Sequence, residues 1–130
     1  MNHENLKQRA KQFALRAIRM SEAMPRSIVG DALNRQVVRS ATSVAANYRS
    51  ACRGKSRADF IAKLGIVEEE ADESALWLEL ITEAGLLPEA KTAALPMEAG
   101  ELTAIAVASI RTARAGKSAP HSALRAPRSK

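Results

Sequence analysis

Apolar residues recur along most of this chain at spacings of three, four and seven, the repeat of helices that each bury one face. Leu6, Phe13, Ala17, Met20 and Met24 step by seven, four, three and four. They predict a first helix over about residues 5–23, ended by Pro25, which has no amide to donate and clashes with the preceding turn. A second helix is expected from Asp31, a good N-cap residue, to Cys52, with Gly54 as its stop and Arg53 near the negative end of its dipole. Ser56 reads as the next N-cap, with Asp59 three residues on. The third helix, about residues 57–84, is the longest. Its stripe of Phe60, Leu64, Val67, Ala71, Ser74, Leu78 and Ile81 alternates fours and threes as in antiparallel bundles. Gly85 closes it. Residues 86–95 leave two readings open: Pro88 and Pro96 bracket a short helical turn, or Pro96 kinks one longer helix. A last helix near 97–113 places Leu102, Ile105, Ala106 and Ser109 on one side.

Two helices carry more than a core stripe. On the second, Leu33, Val37, Ala41, Val44, Tyr48, Ala51 and Cys52 share a broad apolar side, while Arg35, Arg39, Arg49 and Arg53 fall within roughly 80° of one another elsewhere. The row is either a solvated face with acidic neighbours or a contact surface for an anionic partner. Gln36 and Asn47 lie beside it, suited to a ligand or to fixing the packing between helices. On the third helix a second apolar strip, Ala62, Ile66, Leu76, Trp77 and Leu80, exceeds what one buried face needs. Ile66, Leu76, Trp77 and Leu80 are therefore expected to form a subunit interface, where aromatics are enriched. Glu68, Asp72, Glu79 and Glu83 line a third side.

Arg35-Gln36…Arg39-Ser40-Ala41…Ser43-Val44-Ala45-Ala46-Asn47, then Lys55-Ser56…Asp59-Phe60…Leu64, resembles the four-helix-bundle proteins related to those encoded in 23S ribosomal RNA intervening sequences. The runs 67–73 and 101–105 are also similar to that family, and the likeness covers about residues 10–115. Where many members have Asn-Ile-Ala-Glu-Gly, this chain has Asn47-Tyr48-Arg49-Ser50-Ala51, so an acidic position is replaced and the helix end is more basic. The resemblance implies an all-α bundle, a link to ribosomal RNA and a homopentamer.

Composition agrees with helices. Among 130 residues there are two Phe, one Tyr and one Trp, too few for a β-sandwich or barrel. The fold class expected is an all-α, antiparallel, up-down-up-down four-helix bundle over residues 1–115. A disordered basic tail is expected over 116–130. No apolar run approaches the ~20 residues of a membrane span, and the polar first residues do not read as a signal peptide. A basic amphipathic first helix could touch a membrane surface, but its apolar side has no Trp, and no membrane partner is expected. The single cysteine supports no disulfide framework, and a cytoplasmic location follows.

The net charge of +6 conceals strong segregation. Residues 1–63 hold 13 basic and 4 acidic side chains, residues 64–101 hold 1 and 10, and residues 102–130 hold 6 and none. Such asymmetry fits a nucleic-acid surface, and equally a basic half that faces acidic helix three in its own or a neighbouring subunit.

Enzyme chemistry finds no footing. Di-metal bundles need Glu-x-x-His pairs, and the two histidines, His3 and His121, sit at the ends of the chain. Cys52 has no histidine near it in sequence to activate it and reads as a small buried residue. Gly30, Gly54 and Gly65 match no phosphate loop. No catalytic residue, metal, cofactor or small-molecule substrate is expected. Two functions stay in view. One is a non-enzymatic, oligomeric bundle that binds nucleic acid, RNA-related, through Arg35, Arg39, Arg49, Arg53 and Lys55 with little sequence specificity. The other is a structural or scaffolding homo-oligomer whose arginine row forms salt bridges between subunits or with a partner protein.

Overall fold

A computed structural model describes residues 3–116 as helices α1 (His3–Ser21), α2 (Ile28–Cys52), α3 (Arg57–Glu83), α4 (Glu89–Thr92) and α5 (Ala94–Arg114). There is no strand among the described residues. The four long helices close a ring in the order α1, α2, α3, α5, with short connections that make neighbours antiparallel. This is the expected all-α bundle. The expected tail lies, from residue 117 onward, outside the described residues.

Every residue of the α3 stripe is buried, and Phe60, Leu64, Val67, Leu78 and Ile81 meet Phe13, Val37, Val44 and Leu102 in one core. A small pocket of about 10 Å³ within it is lined from all four long helices, by Leu6, Ala10, Val44, Tyr48, Leu64, Val67, Leu102, Ile105 and Ala106. Much of the remaining core is alanine: Ala10, Ala14, Ala17, Ala41, Ala51, Ala71, Ala99, Ala106 and Ala113 are all buried. Side chains this small let helix axes approach closely, which is how a chain with four aromatics still excludes water.

Two hydroxyl pairs lock elements together inside this packing. Ser74 donates to the Glu70 carbonyl at 2.8 Å, which leaves Ser40 to donate to Ser74, also at 2.8 Å, across a fully buried α2–α3 contact. Thr82 donates to Leu78, so Thr92 donates to Thr82 at 2.5 Å and pins α4 against α3.

Helix ends differ from expectation for local reasons. α2 begins at Ile28, not Asp31, because Ser27 is the N-cap and accepts from the Gly30 amide. Asp31 instead sits in the first turn, where its charge suits the dipole, and accepts from Arg26. α3 ends in a Schellman motif: Gly85, at φ +76°, donates to Thr82, and Leu86 donates to Ile81. Of the two readings for 86–95, the short turn holds, as α4. α5 then starts at Ala94, ahead of the predicted residue 97. Pro96 lies in its first turn, where its missing amide would have no helical partner anyway. Of the residues placed on the α5 core side by spacing, Leu102 and Ala106 are buried and Ile105 and Ser109 are half-buried; Leu95, Ala99, Ile110 and Ala113 complete the buried face. The expectation that no run approaches a membrane span also needs correction. By length and composition the helix Glu89–Arg114 is apolar enough, an 18-residue window within it reaching a mean hydropathy of 1.3, although here it packs on α3 and buries Leu95, Ala99, Leu102, Ala106 and Ile110.

Leu64 and Leu78 are both fully buried. Truncating either to alanine is expected to cost about 2–5 kcal/mol. Chemical denaturation reads this directly, and an unchanged midpoint would place these side chains outside the core.

Candidate nucleic-acid interface

The α2 periodicity that buries Val37, Ala41, Val44 and Tyr48 turns Arg35, Arg39, Arg49 and Arg53 to the outside, and all four are exposed. They do not share one environment. Arg39 reaches across to α3, donating through Nη1 to Glu70 at 3.2 Å and through Nη2 to Glu73 at 2.9 Å. The bond to Glu70, above all, holds its guanidinium above the ordinary value. The carboxylates it uses are not Glu68, Asp72, Glu79 or Glu83, and they belong to its own chain. Arg35, Arg49, Arg53 and Lys55 have no ion pair among the described residues.

Arg49 belongs to a shallow groove between α1 and α2, with Lys7 and Lys11 on the facing helix. Ala14, Leu15, Ile18, Ala45 and Ala46 line the same groove, so its floor is apolar and its rim cationic. Lys7 is partly engaged by Glu4 at 3.4 Å. Lys11 is exposed and has no ion pair among the described residues. Lys7 and Lys11 were missed as partners of Arg49; their spacing of four residues, one helical turn, put them on one face, but nothing in the sequence said which helix that face meets. Arg35 lies nearer the other end of α2, in a broad depression with Asn34, Gln36, Glu22 and Asp31.

Among the described residues, Gln36 and Asn47 make no hydrogen bond between helices. Asn47 donates to the Ser43 carbonyl and hydroxyl one turn back, and Gln36 accepts from Arg39. The bonds of both stay within α2, and that of Asn47 to a backbone carbonyl one turn back is a common use of a polar helix side chain.

The strongest ion pair lies elsewhere. Arg9 on α1 donates a two-pronged bond to Glu98 on α5, at 2.6 and 2.8 Å, and a further bond to Glu101. The bond to Glu98, first among its causes, raises the Arg9 guanidinium. Burial raises the Tyr48 phenol, helped by Cys52, which is itself half-buried.

On α3, Ile66, Leu76 and Leu80 are exposed at 37%, 46% and 38%, a strip without cover in the single chain. Trp77 stands at its edge, packed partly against the core, with its indole N–H buried and lacking an acceptor among the described residues. No group of three or more His, Cys, Asp or Glu able to hold a metal exists among the described residues.

Comparison with known proteins gives a consistent result. The sequence model of the 23S rRNA-intervening sequence proteins matches residues 3–108. A crystal structure from Bacteroides thetaiotaomicron, described as a protein with unknown function from the S23 ribosomal protein family, is similar at 29% identity and a TM-score of 0.75. The match covers 86% of this chain and 100% of that one. No curated protein matches.

Because Arg9 and Glu98 are three-quarters or more buried while Arg39 is half exposed, the two pairs are expected to differ in strength. Arg9→Gln should cost about 1.5–3 kcal/mol, as loss of charge-assisted bonds to a partly buried carboxylate does, and Arg39→Gln about 1 kcal/mol or less. Equal losses on thermal unfolding would contradict this ranking.

Proposed function

The chain belongs to the 23S rRNA-intervening sequence protein family, and on that premise we propose that it is a non-enzymatic, cytoplasmic bundle protein that binds RNA through the α1–α2 face. The observation that carries this reading is a choice the chain makes among its own charges. Exposed carboxylates are plentiful on α3, yet only Arg39 of the α2 row is neutralised by them. Arg35, Arg49, Arg53, Lys55 and Lys11 keep their charge facing solvent, which is the electrostatic footprint of a phosphate-binding surface. Arg39 serves the fold first and has a smaller part in binding.

Specificity should be low. Phe13, Phe60 and Tyr48 are buried and Trp77 is half-buried on α3, so the face offers no aromatic platform for stacked bases. Binding of this kind is dominated by phosphate contacts, which position a protein without reading sequence.

Assembly is a second part of the reading, supported by the uncovered strip of Ile66, Leu76 and Leu80 beside Trp77. A second copy of the chain on this strip makes the protein a homo-oligomer, a pentamer if it follows the resemblance noted in the sequence. Repeating the cationic face around an assembly would raise avidity without improving any single contact. A scaffold role remains the alternative, in which the same arginines contact a partner protein.

If the arginines face phosphates, affinity for ribosomal RNA fragments falls steeply with salt. The paired change Arg35→Gln, Arg49→Gln should flatten that slope by about two units for duplex-like sites and somewhat less for single strands. Lysine at both positions should retain much of the affinity. Electrophoretic shifts at several salt concentrations test this; a slope unmoved by the pair returns these residues to a solvated face.

For assembly, light scattering at micromolar concentration should give a multiple of the chain mass, and Leu76→Glu, Leu80→Glu should reduce it. These two residues suit the test better than Trp77, whose ring also supports the core. A monomeric mass for the unaltered chain removes the oligomer.

A further inference from the structure

The groove between α1 and α2 has two unlike ends. The connection from Ser21 to Ile28 is short, so the two helices run antiparallel and the early residues of α1 lie beside the last turns of α2. Lys7 and Lys11 therefore share one end of the groove with Arg49, in the last turn of α2. The two lysines are one helical turn apart, about 6 Å along the axis, close to the separation of successive phosphates in an extended strand. Toward the other end the lining is uncharged: Leu15, Ile18, Thr42 and Ala46. Ile18 is 36% exposed, Leu15 is half-buried and Ala46 is exposed, so apolar surface meets water beside the cations. The groove offers about 460 Å³, the scale of a site for a small organic group.

This combination selects among occupants. Protein interfaces bury about 800 Å² per partner and centre on bulky anchors seated in pockets. Here a single isoleucine is exposed among alanines, too little for such a centre. An RNA duplex brings phosphates to the cationic end, but its base faces stay stacked inside it. It would set hydroxyls and charge against Leu15 and Ile18. An unpaired strand brings the same phosphates and can turn the face of a base outward. That face is planar and apolar, and it covers the aliphatic lining while the flanking phosphates remain on Lys7, Lys11 and Arg49.

We infer that the α1–α2 groove is a single-strand RNA site, with phosphates held by Lys7, Lys11 and Arg49 and the face of one unpaired base lying on Leu15, Ile18 and Ala46. The inference rests on the RNA reading above and names the form of RNA that is taken. It makes Ile18 and Ala46 determinants of strand form and not of base identity. Every base has such a face. The Thr42 hydroxyl gives its hydrogen to the Val38 carbonyl at 2.8 Å, so it has none to offer a base edge. Preference for an unpaired strand is therefore compatible with low sequence specificity.

The test uses the full chain and three probes with equal numbers of phosphates: an oligouridylate, an RNA duplex and an abasic strand. Two double variants are compared with the unaltered protein, and circular dichroism checks that each is folded. Ile18→Gln, Ala46→Gln changes exposed positions to a good helix former and leaves the charge alone. It should weaken oligouridylate binding about three- to tenfold, the scale of one aliphatic contact, without moving the salt slope and without affecting the duplex or the abasic strand. Lys11→Gln, Arg49→Gln should instead flatten the salt slope for the oligouridylate by about 1.4 units. If the charge pair weakens oligouridylate binding and the apolar pair does not, or if the apolar pair weakens all three probes alike, the base site is overturned and the RNA reading stands. An apolar pair that lowers the oligomeric mass and leaves RNA affinity intact assigns the groove to a second copy and likewise overturns it. No RNA binding by the unaltered chain overturns both readings.

Discussion

The contact on which the rest of the bundle depends is the seam between α2 and α3. Ser40 meets Ser74 there through a single buried hydrogen bond, with Ala41 and Ala71 fully buried alongside. Residues of this size bring two helices close, and close helices leave no interior volume for charge. Every charged side chain of α2 is consequently forced outward, and those of α3 are forced out on its far and lateral sides. Arg39, at the border, is the one arginine of the row near enough to α3 to be claimed by Glu70 and Glu73. The proposed surface is in this sense a by-product of core packing: the cation that meets α3 carboxylates at the seam is paired, and the others of the row are not.

Much of the fold could be read from spacing because each helix buries one stripe, and a stripe is a property of the sequence itself. All seven predicted stripe residues of α3 are buried. Helix starts were less legible. A hydroxyl and a carboxylate both make N-caps, and Ser27 lies four residues before Asp31; only the Ser27 bond to the Gly30 amide decides between them. The onset of α5 ahead of Pro96 was similarly hidden, since proline ends a helix in its interior and is harmless in its first turn.

The candidate site was legible in part. A helical wheel gives the angle of a side chain and says nothing of its neighbour across a groove. It therefore grouped four arginines that the packing then separates, with Arg39 bound to α3, Arg49 facing α1, and Arg53 at the end of the bundle. Partnerships between distant positions were invisible for the same reason. Arg9 and Glu98 are 89 residues apart, and no local pattern links them. The amides of Gln36 and Asn47 show the opposite error, because the interhelix bonds expected of them are replaced by bonds within one turn of α2.

Charge and apolar exposure are distributed so that the proposed binding and assembly need not compete. The uncovered apolar strip lies on α3, with Glu69, Glu73, Glu79 and Glu83 exposed on the same helix. The available cations lie on α1, on the outer side of α2 and at the end where α2, α3 and α5 meet. An anionic polymer would be repelled from the α3 surface by its carboxylates and drawn to the other, so the segregation that a net charge of +6 conceals would act as an orienting field. Arg39 sits at the boundary, where its pairing with Glu70 and Glu73 joins the two territories at the α2–α3 edge. Removing that arginine would therefore do more than delete one cation: it would uncover two carboxylates beside the row proposed to bind RNA and so oppose any phosphate there. On this reading Arg39 assists binding by masking acid, and its own reach toward RNA is secondary.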